Sequence, residues 1–226
     1  MADAQPGSAR TLRRDAEENR RRILVAASRL ISEEGLGVGH DRIAREAGVA
    51  VGTVYRRFPD KGALVAALFT EQVDQVALAA RAALRVEDPW QAIADFLLAT
   101  VAMQVGNRGL RDLNAGHAHG SELAQYARAQ IAPIVEELVA RGHARGVLRA
   151  GVAEQDLALV PVMVGAVIKA TPDGDPDTWR RALAIALAGL REGGRPPLPG
   201  GTPTSDQIAR LMQGNDPGGA DEPGAD

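Results

Sequence analysis

The segment DRIAREAGVAVGTVYRRFPDK, Asp41 to Lys61, carries the strongest structural signal in this sequence of 226 residues. Apolar residues recur at helical spacing on both sides of Gly48, and they are Ile43, Ala44, Ala47, Val54 and Phe58. A tight turn between two helices requires a residue that tolerates a positive φ, and glycine does so without steric cost. The segment therefore predicts two short helices, 41–47 and 51–58, with Asp41 as the cap of the first.

The predicted pair has the geometry of a helix-turn-helix, whose second helix enters the major groove of DNA. Its polar side chains donate hydrogen bonds with the reach that phosphates and base edges require. The candidate DNA-binding residues are Arg42, Gly52, Thr53, Tyr55, Arg56, Arg57 and Lys61. Lys61 would begin the next helix, where its ammonium and the free backbone N–H groups together favour a phosphate.

Residues 20–70 resemble the DNA-binding domain of the tetracycline-repressor (TetR) family of transcriptional regulators. The resemblance rests on the pattern IAxxAGVxxGTVYxxFxxKxxL, which spans Ile43 to Leu64. It implies that Thr53 and Tyr55 contact phosphates or base edges. It also implies that Gly52 lets the N-terminus of the second helix approach the DNA backbone closely.

The sequence departs from the family pattern in two places. At His40–Asp41 the family commonly has a threonine or serine cap, and Asp41 can cap equally well. The Arg56–Arg57 pair is more basic than the residues often found there, and the resemblance implies that both contact bases or backbone. Two alternatives stay open: Tyr55 as a half-buried spacer, and Arg57 paired with Asp60. The Arg20–Arg22 run is expected to be a solvated helix start within reach of flanking phosphates.

The charges are unevenly distributed around a formal net charge of −3. Residues 10–61 carry twelve Arg and Lys against eight Asp and Glu, whereas residues 62–226 carry fourteen against twenty. A basic N-terminal module on an acidic body is typical of a protein that binds a polyanion at one place.

Several other classes of protein are disfavoured. Cysteine is absent, which excludes thiolate metal sites and cysteine nucleophiles. The sequence has no HExxH, GxSxG or P-loop motif, so we expect neither an enzyme nor a cofactor. The polar N-terminus is not a secretory signal, and no apolar run approaches the ~18 residues of a membrane helix, so we expect a cytoplasmic protein.

Apolar spacing predicts helices throughout and no alternating β pattern, so the fold class is all-α. We expect a mobile arm at 1–14 and a three-helix helix-turn-helix domain at 15–62. A helical ligand-binding and dimerisation domain would follow at 63–192. Residues 193–226 are rich in glycine, proline and acidic residues, which predicts a disordered tail.

The resemblance also implies a homodimer, because the last two helices of each TetR-family subunit form a four-helix bundle with those of its partner. Here these helices would be about 155–170 and 177–191. Their apolar stripes fit an interface, since a monomer would expose them: Leu157, Val160, Val164, Ile168, Trp179, Leu183, Leu187 and Leu190. The alternative is that both helices pack inside one subunit.

An unidentified small-molecule effector is implied by the same resemblance. The candidate ligand-binding residues are Trp90, Phe96, Met103, His117, Tyr126 and Met163. The scarcity of aromatic residues and of charges at interior positions of this region favours a small apolar ligand. Two other functions stay open: a metal-binding enzyme built on the His117–His119 loop, and a non-specific architectural DNA-binding protein, which the acidic body disfavours.

Overall fold

The structure is a computed structural model that describes residues 6–106, 120–171, 177–194, 196 and 198–212. Its described part contains nine α-helices, which are α1 (Pro6–Glu34), α2 (His40–Ala47), α3 (Val51–Arg57), α4 (Lys61–Ala83), α5 (Pro89–Gly106), α6 (Gly120–Ala144), α7 (Glu154–Ala170), α8 (Asp177–Leu190) and α9 (Ser205–Met212). Between described residues, β-type pairing is limited to one isolated bridge, Leu148 with Arg191. The all-α prediction is confirmed.

The chain divides into two compact units, Met1–Phe69 and Thr70–Asp226. The division falls inside α4, whereas the sequence placed it between residues 62 and 63. The physical reason is that α4 is a continuous helix with buried residues along its whole length, from Leu64 near its start to Ala83 at its end. An apolar stripe in the sequence does not reveal where one core stops and the next begins.

The core of the first unit is formed where α1 packs on α2 and α2 packs on α3. Ile23, Leu30 and Val54 are completely buried there, and Ile43 is 1% exposed. Burial of each such side chain contributes roughly 1.5–3 kcal/mol. This core is what holds α3, a helix of only seven residues, in place.

The turn between α2 and α3 is the predicted glycine turn. Gly48 has φ 63° and ψ 39°, and its N–H donates to the Arg45 carbonyl at 3.3 Å. The Val49 N–H donates to the Ala44 carbonyl at 3.0 Å. These two bonds form a Schellman motif, which requires a left-handed residue at the position of Gly48.

The second unit is a helical bundle in which α5 packs on α6 and α7, and α7 packs on α8. Ile93 and Leu97 of α5, Leu138 of α6 and Leu157 of α7 lie at its centre, each no more than 1% exposed. Arg141 closes one end of the bundle, because its guanidinium donates to the carbonyls of Leu84 and Val86 at 2.8 and 2.6 Å. Those carbonyls belong to the residues that directly follow α4.

The N-terminal arm was predicted wrongly for residues 6–14, because α1 begins at Pro6 and not at Asp15. Proline is pre-organised for the first position of a helix. The arginine, alanine, leucine and glutamate residues that follow are good helix formers even without apolar periodicity. The first five residues of the predicted arm lie outside the described part of the chain.

The C-terminal tail was also predicted wrongly, because part of it is ordered. α9 packs against α7 and buries Ile208 to 7% exposure. Thr204 and Gln207 form a capping box: the Thr204 N–H donates to Gln207 Oε1 at 2.7 Å, and the Gln207 N–H donates to Thr204 Oγ1 at 3.2 Å. The signal was present as a T-x-x-Q sequence before an apolar residue, but the surrounding glycines and prolines concealed it.

α4 is long and apolar enough to cross a membrane by length and composition alone, which the sequence analysis did not anticipate. One third of its most apolar window, 33%, is buried inside the protein. The helix also carries Glu71 and Asp74. Because its apolar residues supply the cores of the two units, we assign α4 as a core helix.

Candidate nucleic-acid interface

α3 has a buried face and an exposed face. Val54 is completely buried and Phe58, which follows the helix, is 4% exposed. The opposite side of the helix carries the candidate DNA-binding residues Gly52, Thr53, Tyr55, Arg56 and Arg57, of which only Thr53 is partly buried. Because the buried face anchors α3 on α2, the exposed face is the one that a groove of DNA would receive.

Tyr55 is held from one side by His40, the first residue of α2. The two rings are stacked with their centroids 4.7 Å apart and their planes at 14°. Tyr55 is nevertheless 49% exposed, so its other side is open to solvent. Sequence reasoning treated His40 only as a missing cap and did not detect this contact, which joins residues in different helices.

The expected cap of α2 is absent, which corrects the prediction for Asp41. Gly39 is the N-cap residue, with extended φ and ψ of −83° and 157°, and no side chain bonds to it. Asp41 lies inside the first turn, where its carboxylate still opposes the positive end of the helix dipole.

Arg56 and Arg57 have different surroundings. The Arg56 Nη2 donates to Thr53 Oγ1 at 3.4 Å, and both side chains lie on the same side of α3. The Arg57 Nη2 donates to the Ala16 carbonyl of α1 at 3.1 Å. Arg57 therefore ties the end of α3 to α1, and the alternative in which it pairs with Asp60 was wrong.

Asp60 instead caps α4. Its Oδ1 accepts the Ala63 N–H at 2.8 Å, and its carbonyl accepts the Leu64 N–H at 3.3 Å. The Ala63 N–H, one of the backbone groups expected to be free at this helix end, is therefore already bonded. Any attraction for a phosphate here depends mainly on the exposed ammonium of Lys61.

Two arginines near the interface have structural partners that the sequence did not predict. Arg42 forms ion pairs with Glu34 at 3.2 Å and Glu46 at 3.3 Å, which neutralise much of its charge. The Arg22 Nη2 donates to the Gly48 carbonyl at 2.9 Å and so braces the turn from α1. Arg22 is thus more than a solvated helix start, whereas its neighbour Arg21 pairs with Glu18 at 2.8 Å.

The candidate ligand-binding residues differ widely in environment. Phe96 is buried in the core, while Trp90 lies against it with the Arg191 guanidinium 5.0 Å from its ring centroid. Met103 is partly buried on α5, whereas Met163 is 51% exposed on α7. The Tyr126 hydroxyl donates to Asp74 at 2.7 Å, which raises the pKa of Tyr126. His117 lies outside the described residues, as does His119.

The residues predicted to form the dimer interface lie in the core of their own subunit. Leu187 is partly buried and packs against this core. The other seven residues are buried in it: Leu157, Val160, Val164, Ile168, Trp179, Leu183 and Leu190. This corrects their assignment, because such side chains offer almost no surface to a partner. The apolar residues exposed on α7 and α8 are different ones, Met163 and Ile185, the latter 66% exposed.

The fold and this interface define a helix-turn-helix DNA-binding protein with a helical C-terminal domain, and the comparisons with known proteins agree. Residues 23–68 match "Bacterial regulatory proteins, tetR family", and residues 88–192 match "Transcriptional regulator SbtR-like, C-terminal domain". A TetR transcription regulatory protein from Mycobacterium vanbaalenii is 35% identical, with a TM-score of 0.57, over 80% of this chain and 99% of that one.

Two further relatives resemble this chain either in fold alone or over a short segment. The FadR regulator of Bacillus subtilis, solved with stearoyl-CoA, has a TM-score of 0.59 over 76% of this chain and 99% of its own. Its identity is 18%, which establishes the shared fold only. An HTH-type transcriptional regulator of Staphylococcus aureus strain USA300 is 48% identical, but over only 24% of this chain and 29% of its own length.

The chain belongs to the TetR family of transcriptional regulators. It is a DNA-binding regulator, and the family is not enzymatic. The alternative of a metal-dependent enzyme is thereby set aside. Within the described residues, which include neither His117 nor His119, no group of three or more His, Cys, Asp or Glu side chains that could hold a metal ion is found.

Proposed function

We propose that this chain is a ligand-responsive, site-specific repressor that acts in the cytoplasm as a homodimer on a pseudo-palindromic operator. The exposed face of α3 is the observation that supports DNA reading most directly. It presents Tyr55 and Arg56 on a helix whose opposite face is buried, so the helix that carries these donors is fixed on the domain. A dimer bound across a promoter would block transcription by occupying the site.

The exposed sides of α7 and α8 support the dimer. Met163 and Ile185 are large apolar side chains at 51% and 66% exposure, and Ala166, Ala184 and Ala188 beside them are exposed as well. Burying large exposed apolar side chains against a second copy is favourable at roughly 25 cal/mol per Å². A two-fold dimer would present two copies of α3 to half-sites ~34–36 Å apart or at a multiple of one turn.

An effector in the second unit would control binding through α4. That helix begins at Lys61, beside α3, and continues into the second unit as far as Ala83. A ligand that favours one position of its second half would move the end that carries Lys61 and shift the population of the DNA-binding state. We propose a small apolar effector here; the stearoyl-CoA in the structure of FadR from Bacillus subtilis has an apolar acyl chain, although its CoA part is charged.

Selection from genomic DNA tests the proposal directly. Purified protein is incubated with sheared genomic DNA of its source at near-physiological salt, and the retained fragments are sequenced. We expect a few fragments that share a pseudo-palindrome, and their neighbouring genes would indicate the effector. Uniform recovery would contradict site-specific binding and favour an architectural DNA-binding protein.

Tyr55→Ala provides the matched control for the selection. Because Tyr55 is half exposed and lies outside the core, its loss leaves the fold intact. We expect the variant to remain dimeric in sedimentation while its retention of the selected fragments falls across all sequences. Full retention by this variant would overturn the assigned docking face.

A further inference from the structure

We propose that His40 is a positioning residue that holds the Tyr55 ring in the orientation in which it meets the DNA backbone. The inference deepens the proposed function and rests on it. It concerns a residue at which this sequence departs from the cap that its family commonly has. His40 itself need not touch DNA.

His40 makes two contacts, one to Tyr55 of α3 and one to Phe58, the residue that follows α3. The imidazole stacks on the Tyr55 ring, with centroids 4.7 Å apart and an interplanar angle of 14°. Its Nε2 lies 3.0 Å from the carbonyl oxygen of Phe58. Because a carbonyl can only accept, Nε2 carries the hydrogen and donates it.

The Phe58 carbonyl fixes where the imidazole can be. Phe58 ends α3 and is 4% exposed, so its backbone is anchored by a buried side chain. The ring of His40 is itself partly buried between this carbonyl and Tyr55. The imidazole is therefore held in one position and is not a mobile surface group.

A fixed imidazole affects Tyr55 because the tyrosine side chain is 49% exposed. An exposed ring on a short helix samples several rotamers, and DNA binding would have to select one of them. Stacking on one face restricts the ring before binding and so removes part of that entropic cost. The side chain of His40 has no capping role that would explain it otherwise, since α2 has no side-chain cap bond.

A double-mutant cycle tests the proposal. Operator affinity is measured for the dimer carrying His40→Ala, Tyr55→Ala or both, on a fragment recovered in the selection. We expect His40→Ala to weaken binding by about three- to tenfold at each half-site, and hence by about ten- to hundredfold for the dimer, because one side chain per subunit loses its order. In the Tyr55→Ala background the same substitution should have no further effect, because its target is gone.

His143→Ala is the matched control. His143 also donates from Nε2 to a backbone carbonyl, that of Val152 at 2.8 Å, but it lies in the second unit. We expect it to leave operator affinity unchanged. Thermal melting of every variant confirms that binding is measured on folded protein.

A spectroscopic measurement on the free protein separates positioning from general destabilisation. The chain has two tyrosines, so Tyr126→Phe leaves Tyr55 as the single site for 3-fluorotyrosine. Removal of the stacked imidazole in His40→Ala should shift the ¹⁹F resonance of Tyr55. His40→Phe keeps an aromatic ring there but loses the bond to the Phe58 carbonyl, so it should restore part of the operator affinity.

The outcomes distinguish this inference from the function on which it rests. If the wild type binds its operator and the losses of the two single variants multiply, His40 does not act through Tyr55 and the inference is overturned. An unshifted ¹⁹F resonance overturns it as well. If the wild type retains no specific fragment, the proposed function fails and the inference fails with it.

Discussion

At the scale of single residues, Gly48 and Gly52 perform different tasks although they lie in one short segment. Gly48 has a φ of +63°, and a Cβ added there would lie 2.5 Å from the Arg22 Nη2. Gly52 lies in α3 with no atom within 4 Å of an added Cβ. The fold therefore requires the first glycine, and only a close approach of DNA would require the second.

The first prediction is that Gly48→Ala lowers the free energy of unfolding by about 1–2 kcal/mol, because an L-residue is strained in the left-handed region. The same change also displaces the Arg22 guanidinium from the Gly48 carbonyl. Urea unfolding of the variant and the wild type measures the difference in the free energy of unfolding. An unchanged midpoint would show that the turn does not depend on this conformation.

The second prediction uses Gly52→Ala as the counterpart. Its free energy of unfolding should be unchanged or higher by up to about 1 kcal/mol, because alanine favours a helix over glycine and the added methyl group meets nothing in the protein. Its operator affinity should fall several-fold, because the methyl group would keep α3 from the DNA backbone. Titration of the selected fragment with this variant measures the affinity. If the variant binds as tightly as the wild type, α3 does not approach the DNA backbone closely at Gly52.

The third prediction concerns Lys61, whose ammonium remains the main cation at the start of α4 after Asp60 has capped the helix. Lys61→Ala should reduce the slope of log affinity against log salt by about two, one phosphate for each subunit of the dimer. Lys169→Ala, the only other lysine of the sequence, is the control and should leave the slope unchanged. An identical slope for both variants would remove Lys61 from the interface.

At the scale of elements, α9 shows how a short helix is stabilised by local and tertiary contacts together. The Thr204–Gln207 capping box starts the helix, and Ile208 is the side chain that it buries. Arg149 connects the preceding segment to the second unit, since its guanidinium donates to the Pro196 carbonyl. The Arg128–Asp206 pair at 3.0 Å adds little, because both side chains are exposed.

The fourth prediction is that Ile208→Ala releases α9 while the rest of the second unit stays folded. Replacing a buried isoleucine by alanine costs about 2–5 kcal/mol, more than an isolated eight-residue helix can offset. Hydrogen exchange at 205–212 should become fast. Leu211→Ala is the control, because Leu211 is 47% exposed, and equal exchange in the two variants would contradict the role of Ile208.

At the scale of the whole molecule, the proposed dimer depends on the faces of α7 and α8 that do not belong to the subunit core. The core face of α7 is already covered by α5, α6, α8 and α9, and the core face of α8 packs on α7. What remains for a partner is an exposed surface with large apolar side chains at Met163 and Ile185. Simultaneous binding of two half-sites would make operator affinity depend strongly on this surface.

The fifth prediction is that Ile185→Glu yields a monomer with much weaker operator binding, because a carboxylate would be buried without a partner in the interface. Analytical ultracentrifugation measures the oligomeric state. Leu78→Glu is the control, since Leu78 is 59% exposed on α4. If Ile185→Glu sediments like the wild type, the dimer interface lies elsewhere.

The sequence alone was sufficient to predict features that depend on residues close together along the chain. The steric demand of a positive φ predicts Gly48, and the spacing of Ile43, Val54 and Phe58 predicts which face of each helix is buried. The four helices predicted at 41–47, 51–58, 155–170 and 177–191 begin and end within one residue of the observed bounds. These features involve residues a few positions apart, whose geometry is set by the backbone itself.

Contacts between distant residues became evident only from the packed helices. The Arg57 guanidinium reaches Ala16, His40 lies on Tyr55, and α9 covers part of α7. The core stripe of α7 likewise has the same apolar pattern whether its own subunit or a partner covers it. Hydrophobic periodicity predicts which face of a helix is buried, but it does not predict which element covers that face. The hydrophobic effect has no direction, so the covering element depends on the three-dimensional path of the chain.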